Sequence, residues 1–392
     1  MSKTRICILG SNSGRNTGDA AILASIINNF LKINPELGFD VPTTNGRYIR
    51  ERFQGKDVRP VSMMPWTGSL RFLGLPTFFS IMFSKAVFIT DGIIFDVKLF
   101  NPIFNFLILL VFLVPFAKML GKKVICFCVG VGPLETGIGR RFARWVCNLC
   151  DAVLVREQSS YDLLVGIGVK KELLEIYADV AFINNPASEK RAEEILQEIG
   201  ALPGKPIIGI NINTYIDQWL KSAGKISKER FISEFAKAVD SVLDKLDVQI
   251  VFTLTQVMDI EIAENIRKRL VKGGRVRVLS NKYYTNHELM AVMGRMELFV
   301  GMRLHSIILS SAMYVPVLGL VYAPKVGHFF KMLGMEDSMY LLDNLESNSL
   351  SSAIIEAYNQ RIETRKWMKP KIELVKQKVE EAFRLVNERY LK

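Results

Sequence analysis

Apolar runs of four to seven residues alternate along this chain with longer stretches whose apolar positions recur at helical spacing. The first part predicts strands over 5–9, 86–90, 123–129 and 152–155, and helices near 19–31, 102–120, 139–149 and 158–167. Such alternation argues for a parallel sheet covered on both faces. The pattern breaks near Ile183-Asn184-Asn185-Pro186 and restarts with strands at 206–211, 248–254, 275–279, 297–301 and 316–321. Helices near 228–246, 259–271, 286–293 and 303–313 separate these strands, giving a second α/β domain. Residues 40–80, with their Pro and Gly content and Arg47, Arg50, Arg52, Arg59 and Arg71, read as loops and short pieces lining a cleft. The expected division is an N-terminal domain over 1–183, a C-terminal domain over 184–345 and an amphipathic helical segment over 346–392.

A length of 392 residues with 49% hydrophobic positions supplies two or three real cores and excludes a disordered or fibrous chain. No charged start leads into a long apolar stretch before Gly10, which makes the cytoplasm the expected compartment. The net charge of +12 is uneven: residues 1–150 carry 18 Lys and Arg against 8 Asp and Glu, so +10 belongs to that part. An anionic partner follows, either a membrane surface, a lipid diphosphate carrier or nucleic acid. Nucleic acid ranks last because no recognised nucleic-acid module accompanies the charge. The most apolar segment, Pro102 to Ala117, would rise roughly 24 Å as a helix, short of a hydrocarbon core of roughly 30 Å. It reads as a buried crossover helix or as one lying against a bilayer, with Lys118, Lys122 and Lys123 just beyond it. Cys126, Cys128, Cys147 and Cys150 match zinc-ligand spacing loosely, but they fall inside apolar elements and read as core filler, as does Cys7.

Two segments carry candidate chemistry. Glu297-Leu298-Phe299-Val300 reads as a buried strand, and the spacing of Leu304, Ile307, Ile308, Leu309 and Ala312 is that of a helix packed on a sheet. Arg303, His305 and Ser306 therefore fall where a strand ends and a helix opens. Ligands of open α/β sheets bind at such ends, and helix-start N–H groups favour an anion. A salt-bridged arginine and a hydrogen-bonded core histidine are the structural alternatives. At the other end, Gly10 to Asp19 is a glycine-punctuated turn between the strand Ile6–Leu9 and a helix, without the dinucleotide fingerprint or a phosphate loop.

Joined to Val155-Arg156-Glu157, to Ala178-Asp179-Val180-Ala181-Phe182 and to the stretch from Arg303 to Lys325, this turn resembles the polysaccharide pyruvyl transferase family. The resemblance runs in order from about residue 5 to about 330 and is strongest at Asn16–Leu23, Arg156–Ser160 and Gly301–His305. It implies two Rossmann-like domains facing each other across a cleft, similar to GT-B glycosyltransferases, with acceptor bound by the first and donor by the second. It also implies transfer of pyruvate from phosphoenolpyruvate to two hydroxyls of a sugar, with no metal and no cofactor besides that donor. One departure is Thr90-Asp91-Gly92-Ile93-Ile94-Phe95-Asp96, where the family usually has a run of glycines.

Phosphoenolpyruvate carries a phosphate and a carboxylate, so its site needs cations held apart. Arg303, Arg156 and Lys325 are the candidates, two as forks and one as a point charge. His305 is the candidate acid, delivering a proton to the enol carbon or to the departing phosphate oxygen. Asp19 is the candidate base for the acceptor hydroxyl, with an N-cap as its structural alternative. Asn16 and Gly18 shape the same turn, and Asp91 is a second choice for facing the site. His328 is secondary and His287 reads as a helix-start residue. The expected acceptor is a lipid-linked or nucleotide-linked sugar in cell-surface or exopolysaccharide biosynthesis, with an anionic membrane surface as a further partner. The rivals are a GT-B glycosyltransferase using a nucleotide sugar and a non-catalytic subunit of a polysaccharide assembly complex. No acidic pair that would hold a ribose is evident in the second domain.

Overall fold

The computed structural model describes residues 4–63, 75–100, 105–214, 227–322, 324–342 and 345–392. The chain forms two compact units. The first runs to Gly14, resumes from Asp19 to Val180 and takes back Val375–Lys392; the second holds Arg15–Gly18 and Ala181–Leu374.

The first unit is a seven-stranded sheet of β1 (Arg5–Leu9), β2 (Gly38–Thr43), β3 (Val58–Ser62), β4 (Ala86–Ile89), β5 (Lys123–Val129), β6 (Ala152–Val155) and β7 (Leu174–Ile176). Its order is β3-β2-β1-β4-β5-β6-β7, every pairing parallel. Ile6 to Leu9 and Val124 to Val129 are buried throughout, as a sheet covered on both faces requires. Helices α1 (Thr17–Ile33), α2 (Gly46–Arg52), α3 (Leu75–Phe83), α4 (Leu107–Met119), α5 (Gly137–Leu149) and α6 (Gln158–Gly166) make the connections. Two strands, helix α2 and the start of α3 thus occupy much of 40–80, where the sequence suggested loops and short pieces. Neither strand announces itself: β2 contains Asp40 and Pro42, and β3 contains Arg59 and Pro60. Proline is tolerated in β3 because that strand is the sheet edge. Arg71 and residues 102–104 of the apolar segment lie outside the described residues.

Helix α4 is a core helix, burying Leu107, Leu110, Leu113, Val114 and Ala117. Lys118 in its last turn and Lys123 after it both pair with Asp151, at 2.6 and 3.1 Å. Among the described residues no helix is long and apolar enough to cross a membrane. All five cysteines are buried free thiols. Cys126 Sγ lies 3.7 Å from Cys150 Sγ on the facing helix end, consistent with filler inside the core.

The second unit is a six-stranded parallel sheet in the order β10-β9-β8-β11-β12-β13. Its strands are β8 (Ile207–Asn211), β9 (Gln249–Leu254), β10 (Val276–Ser280), β11 (Leu298–Gly301), β12 (Val317–Val321) and β13 (Met339–Leu341). Helices α7 (Glu189–Glu198), α8 (Lys228–Lys245), α9 (Ile260–Arg267), α10 (Asn286–Met293), α11 (Leu304–Ala312) and α12 (Pro324–Leu333) are followed by α13 (Ser347–Asn359) and α14 (Arg361–Val386).

The C-terminal stretch is not a segment apart. Residues up to Leu374 belong to the second unit, and Val375–Lys392 pack into the first. There Phe383 sits 4.7 Å from Phe30 and 4.8 Å from Phe127, ring centre to ring centre. The apolar face of this stretch is therefore divided, with Leu350, Ile354 and Tyr358 in the core of the second unit and Phe383 on the N-terminal sheet. In each sheet the strand order reverses at one place, β1/β4 in the first and β8/β11 in the second. Such reversals are where open α/β sheets take ligands.

Candidate functional site

In the second unit the register aligns Asn211 with Gly301, so β8 and β11 end together. The chain then passes through Met302 to Arg303, an extended residue in the N-cap position of α11. Asn211 fixes that turn: its Oδ1 accepts the Arg303 backbone N–H at 3.0 Å while its Nδ2 donates to the Thr253 carbonyl at 2.8 Å. The Arg303 guanidinium lies on Asp259 as a two-point fork, Nε to Oδ2 at 2.6 Å and Nη2 to Oδ1 at 2.7 Å. Asp259 is fully buried, and its Oδ1 also accepts the Thr214 N–H at 3.0 Å. Tyr322, past the end of β12, receives a hydrogen bond from Asn213 Nδ2 at 2.7 Å. Burial pushes its phenol up, while Arg303 and Asn213 oppose the rise. Arg303 is thus oriented by a buried carboxylate, the salt-bridged arrangement that the sequence left open beside donor binding.

Ser306, a candidate for substrate contact, is buried, and its hydroxyl donates to the Arg303 carbonyl at 2.7 Å across the first turn of α11. Lys325 is exposed in the first turn of α12, after the strand next to β11. His328 is exposed on the same helix, and His287 Nδ1 lies on the Asn185 carbonyl.

The glycine-punctuated turn joins this unit through Arg15–Gly18. Asn16 forms a bridge with Gln256, Thr17 N–H donates to the Thr255 carbonyl at 3.0 Å, and Asn281 Nδ2 donates to the Arg15 carbonyl at 2.9 Å. Asn16 Oδ1 accepts the Gly18 N–H at 2.8 Å and so caps α1. The cap is therefore Asn16 and not Asp19. Gly18 is where His305 rests: a Cβ at position 18 would lie 2.1 Å from His305 Nδ1 and 2.2 Å from its Cγ. Only a residue without a side chain permits that approach. Two motifs 287 positions apart (305 − 18) thereby meet.

In the first unit the register aligns Leu9 with Ile89, which sets Gly10 beside Thr90 and Asp91. A Cβ at Gly10 would stand 2.6 Å from Asp91 Oδ2. Asp91 has φ of 65°, a left-handed conformation that Asp and Asn visit more readily than most residues. Its Oδ2 accepts the Ser11 N–H at 2.6 Å, whereas its buried Oδ1 has no hydrogen-bond partner. Burial pushes this carboxyl well above the usual range and the charges of Asp19 and Asp179 add to the rise, against the Ser11 N–H and Arg156. Arg156, beyond β6, pairs with buried Asp179 at 2.7 Å and keeps a buried Nε without a hydrogen-bond partner. The first unit therefore gathers Asp19, Asp91 and Asp179 around one guanidinium. Arg156, a candidate cation for the donor phosphate, is thus already paired with a carboxylate.

A sequence model of the polysaccharide pyruvyl transferase family matches residues 16–324, most of the chain and both motifs that meet at His305. The chain belongs to that family. The amylovoran biosynthesis protein AmsJ of Erwinia amylovora is 20% identical over 389 residues, covering 89% of this chain and 91% of AmsJ. Among solved structures, Anabaena Alr3699/HepE in complex with UDP and glucose superposes with a TM-score of 0.61 at 14% identity, covering 98% of each chain. The UDP-GlcNAc 2-epimerase of Neisseria meningitidis bound to UDP-GlcNAc gives 0.62 at 12% identity, covering 99% of this chain and 100% of the epimerase. These likenesses show the fold, two Rossmann-like units of the GT-B type.

Asn211, Asn213 and Asp259 went unsingled in the sequence. The first two form an Asn-x-Asn step leaving an apolar strand, a signal that was available. Asp259 had none, since an aspartate before a helix reads as a cap.

Proposed function

We propose that this pyruvyl transferase family member forms a ketal, moving pyruvate from phosphoenolpyruvate onto two hydroxyls of a sugar. The observation that supports it best is the seating of His305 on Gly18 at the strand-order reversal of the second unit, beside Arg303 and Asp259. In this reading the second unit binds the donor. The start of α11 and Lys325 attract its anionic groups, and Asp259 holds the Arg303 fork in one orientation. His305 supplies a proton to the enol methylene or to the bridging oxygen of the departing phosphate. One acceptor hydroxyl bonds to the central carbon, phosphate leaves with the former enol oxygen, and the second hydroxyl closes the ketal. The two hydroxyl protons are balanced by the new methyl hydrogen and the proton taken by phosphate.

The acceptor falls to the first unit, where Asp19 acts as base and Asp91, held protonated to higher pH than an ordinary carboxyl, passes protons beside it. Arg156 orients these acids instead of binding donor. The expected acceptor is a lipid-linked or nucleotide-linked sugar of an exopolysaccharide or other cell-surface polymer, at the cytoplasmic face of the membrane. AmsJ by its name serves amylovoran synthesis, and HepE by its complexes takes UDP and glucose, both in keeping with such a sugar. The reaction draws on phosphoenolpyruvate as co-substrate and on no further cofactor or metal. Calorimetric titration tests the reading: phosphoenolpyruvate should bind in preference to UDP-glucose, and phosphate should be released in the presence of a sugar acceptor. Tight binding of the nucleotide sugar with no response to phosphoenolpyruvate would move the assignment to a glycosyltransferase.

A further inference from the structure

Helix α3 carries an apolar outer face. A surface helix ordinarily buries its apolar stripe and shows polar residues to water. Here Thr77, Ser80 and Ile81 are buried, Ser80 donating to Asp40 Oδ2 at 3.0 Å, while Leu75, Phe79, Met82 and Phe83 point outward at one-face spacing. Phe79 is 56% exposed and Phe83 73% exposed. Neighbouring α4 has a second such face: outward from its core side stand Ile108, Phe112, Pro115 and Met119, with Phe112 63% exposed and Met119 85% exposed. Phe78 and Phe116 join the two helices in an edge-on ring contact at 4.8 Å. The turn Val97–Phe100, tied to the start of α4 through Asn105 Nδ2 on the Phe95 and Val97 carbonyls, exposes Val97 and Phe100 as well. Exposed aromatic residues gathered this closely mark a surface that meets something apolar.

The charges say what that is. From residue 75 to 123 the basic residues are Lys85, Lys98, Lys118, Lys122 and Lys123, and the acidic ones are Asp91 and Asp96, both buried. Asp151 neutralises part of this set through Lys118 and Lys123, and Lys85 donates to the Leu391 carbonyl. The outer apolar patch thus lies on a stretch of chain that carries five lysines and, from residue 75 to 123, no exposed carboxylate. A second copy of the chain would bring lysines against lysines, whereas an anionic bilayer offers acyl chains to the phenylalanines and lipid phosphates to the ammonium groups. We propose that the outer face of α3 and α4 with the turn Val97–Phe100 is a docking surface for an anionic membrane, lying in the headgroup region without crossing the bilayer. It deepens the membrane location within the proposed function and rests on none of the reaction chemistry.

Co-sedimentation of the full chain with vesicles tests it, with neither phosphoenolpyruvate nor sugar present, so its outcome is separate from that of the transferase assay. The wild type should pellet with phosphatidylglycerol–phosphatidylcholine vesicles at low salt and bind at least about tenfold less to phosphatidylcholine alone or at high salt. Replacing Phe79, Phe83 and Phe112 together by serine should abolish binding, with circular dichroism and the urea midpoint showing a folded chain. Should that variant not fold, Lys98→Gln with Lys122→Gln provides the second test, and binding should fall by about fivefold per lysine. Wild type remaining in the supernatant at low salt, or serine and glutamine variants binding like wild type, would overturn the proposal. So would a wild-type dimer that the serine variant dissolves, since the face would then belong to a second copy.

Discussion

Replacing Gly18 by alanine places one methyl group where the His305 ring now lies. The added Cβ would stand 2.1 Å from Nδ1, 2.2 Å from Cγ and 2.6 Å from the His305 Cβ. Ordinary contact needs about 3.5 Å, so the overlap is about 1.4 Å. It falls on the root of the side chain, which cannot swing aside as a flexible tip would. Overpacking of this kind costs about 1–3 kcal/mol, while alanine in a helix returns about 0.5–1 kcal/mol over glycine. The net loss of stability is therefore at most about 2.5 kcal/mol. Displacing the proton donor should cost much more in rate, about 10²- to 10⁴-fold, equivalent to roughly 3–5 kcal/mol of barrier. Phosphate release from phosphoenolpyruvate with a sugar acceptor measures the rate and urea unfolding the stability. Gly137→Ala is the matched control, because nothing lies within 4 Å of the added Cβ at the first position of α5; it should gain stability and keep full activity. If Gly18→Ala retains wild-type turnover while His305→Ala is dead, the packing argument is wrong. If both remain active, histidine has no part in the chemistry.

Asp259→Asn should cost about 3–5 kcal/mol in urea unfolding, because it strands a guanidinium at a fully buried partner; a loss below about 1 kcal/mol would mean that Arg303 finds another anion. Asp91→Asn should change the pH dependence of stability. The folded carboxyl holds its proton to higher pH than the unfolded one, so above the ordinary carboxylate range the unfolded state ionises first and wild-type stability falls as pH rises, until the folded group ionises too. Asparagine keeps the acceptor for Ser11 and tolerates the left-handed backbone, so its stability advantage over wild type should be greater near about pH 8 than near about pH 4; equal differences at both pH values would refute the raised carboxyl. Phe383→Ala should destabilise the first unit by about 3–5 kcal/mol, since its ring packs on Phe30 and Phe127. An effect under about 1 kcal/mol in thermal or urea unfolding would make the C-terminal stretch a loosely attached tail.

Strands that are apolar throughout were legible, because parallel strands buried on both faces need nothing but apolar side chains: Ile6–Leu9, Val124–Val129 and Leu298–Val300 all fall where the pattern puts them. Strands β2 and β3 were not, since Asp40, Pro42, Arg59 and Pro60 hide them; Arg5 reaches Asp40 at 2.7 Å and Asp57 at 2.9 Å, pairings set by the sheet and not by local spacing. The amphipathic pattern after residue 346 showed that a face would be buried but not against what: Leu350 and Ile354 join the second unit's core, whereas Phe383 finds its partner 353 positions back, at Phe30 (383 − 30).

The same distinction governs the site. Sequence shows where a cation stands; only the fold shows whether an anion already holds it. Arg303 meets Asp259 from 44 positions away and Arg156 meets Asp179 from 23. Both arginines are thereby turned from sources of charge into rigid donors of fixed direction, which suits discrimination between planar anionic groups more than it suits raw attraction. On the proposed reading, Lys325 and the start of α11 meet the donor in the second unit, and the first unit, with three aspartates about Arg156, serves hydroxyl protons. Donor affinity should accordingly respond more to Lys325→Gln than orientation does, and orientation more to Arg303→Lys than affinity does: the former should raise KM with kcat nearly kept, the latter lower kcat with KM nearly kept. Steady-state kinetics with phosphoenolpyruvate as the varied substrate separates the two, and the reverse pattern would return Arg303 to the role of a plain phosphate-binding cation.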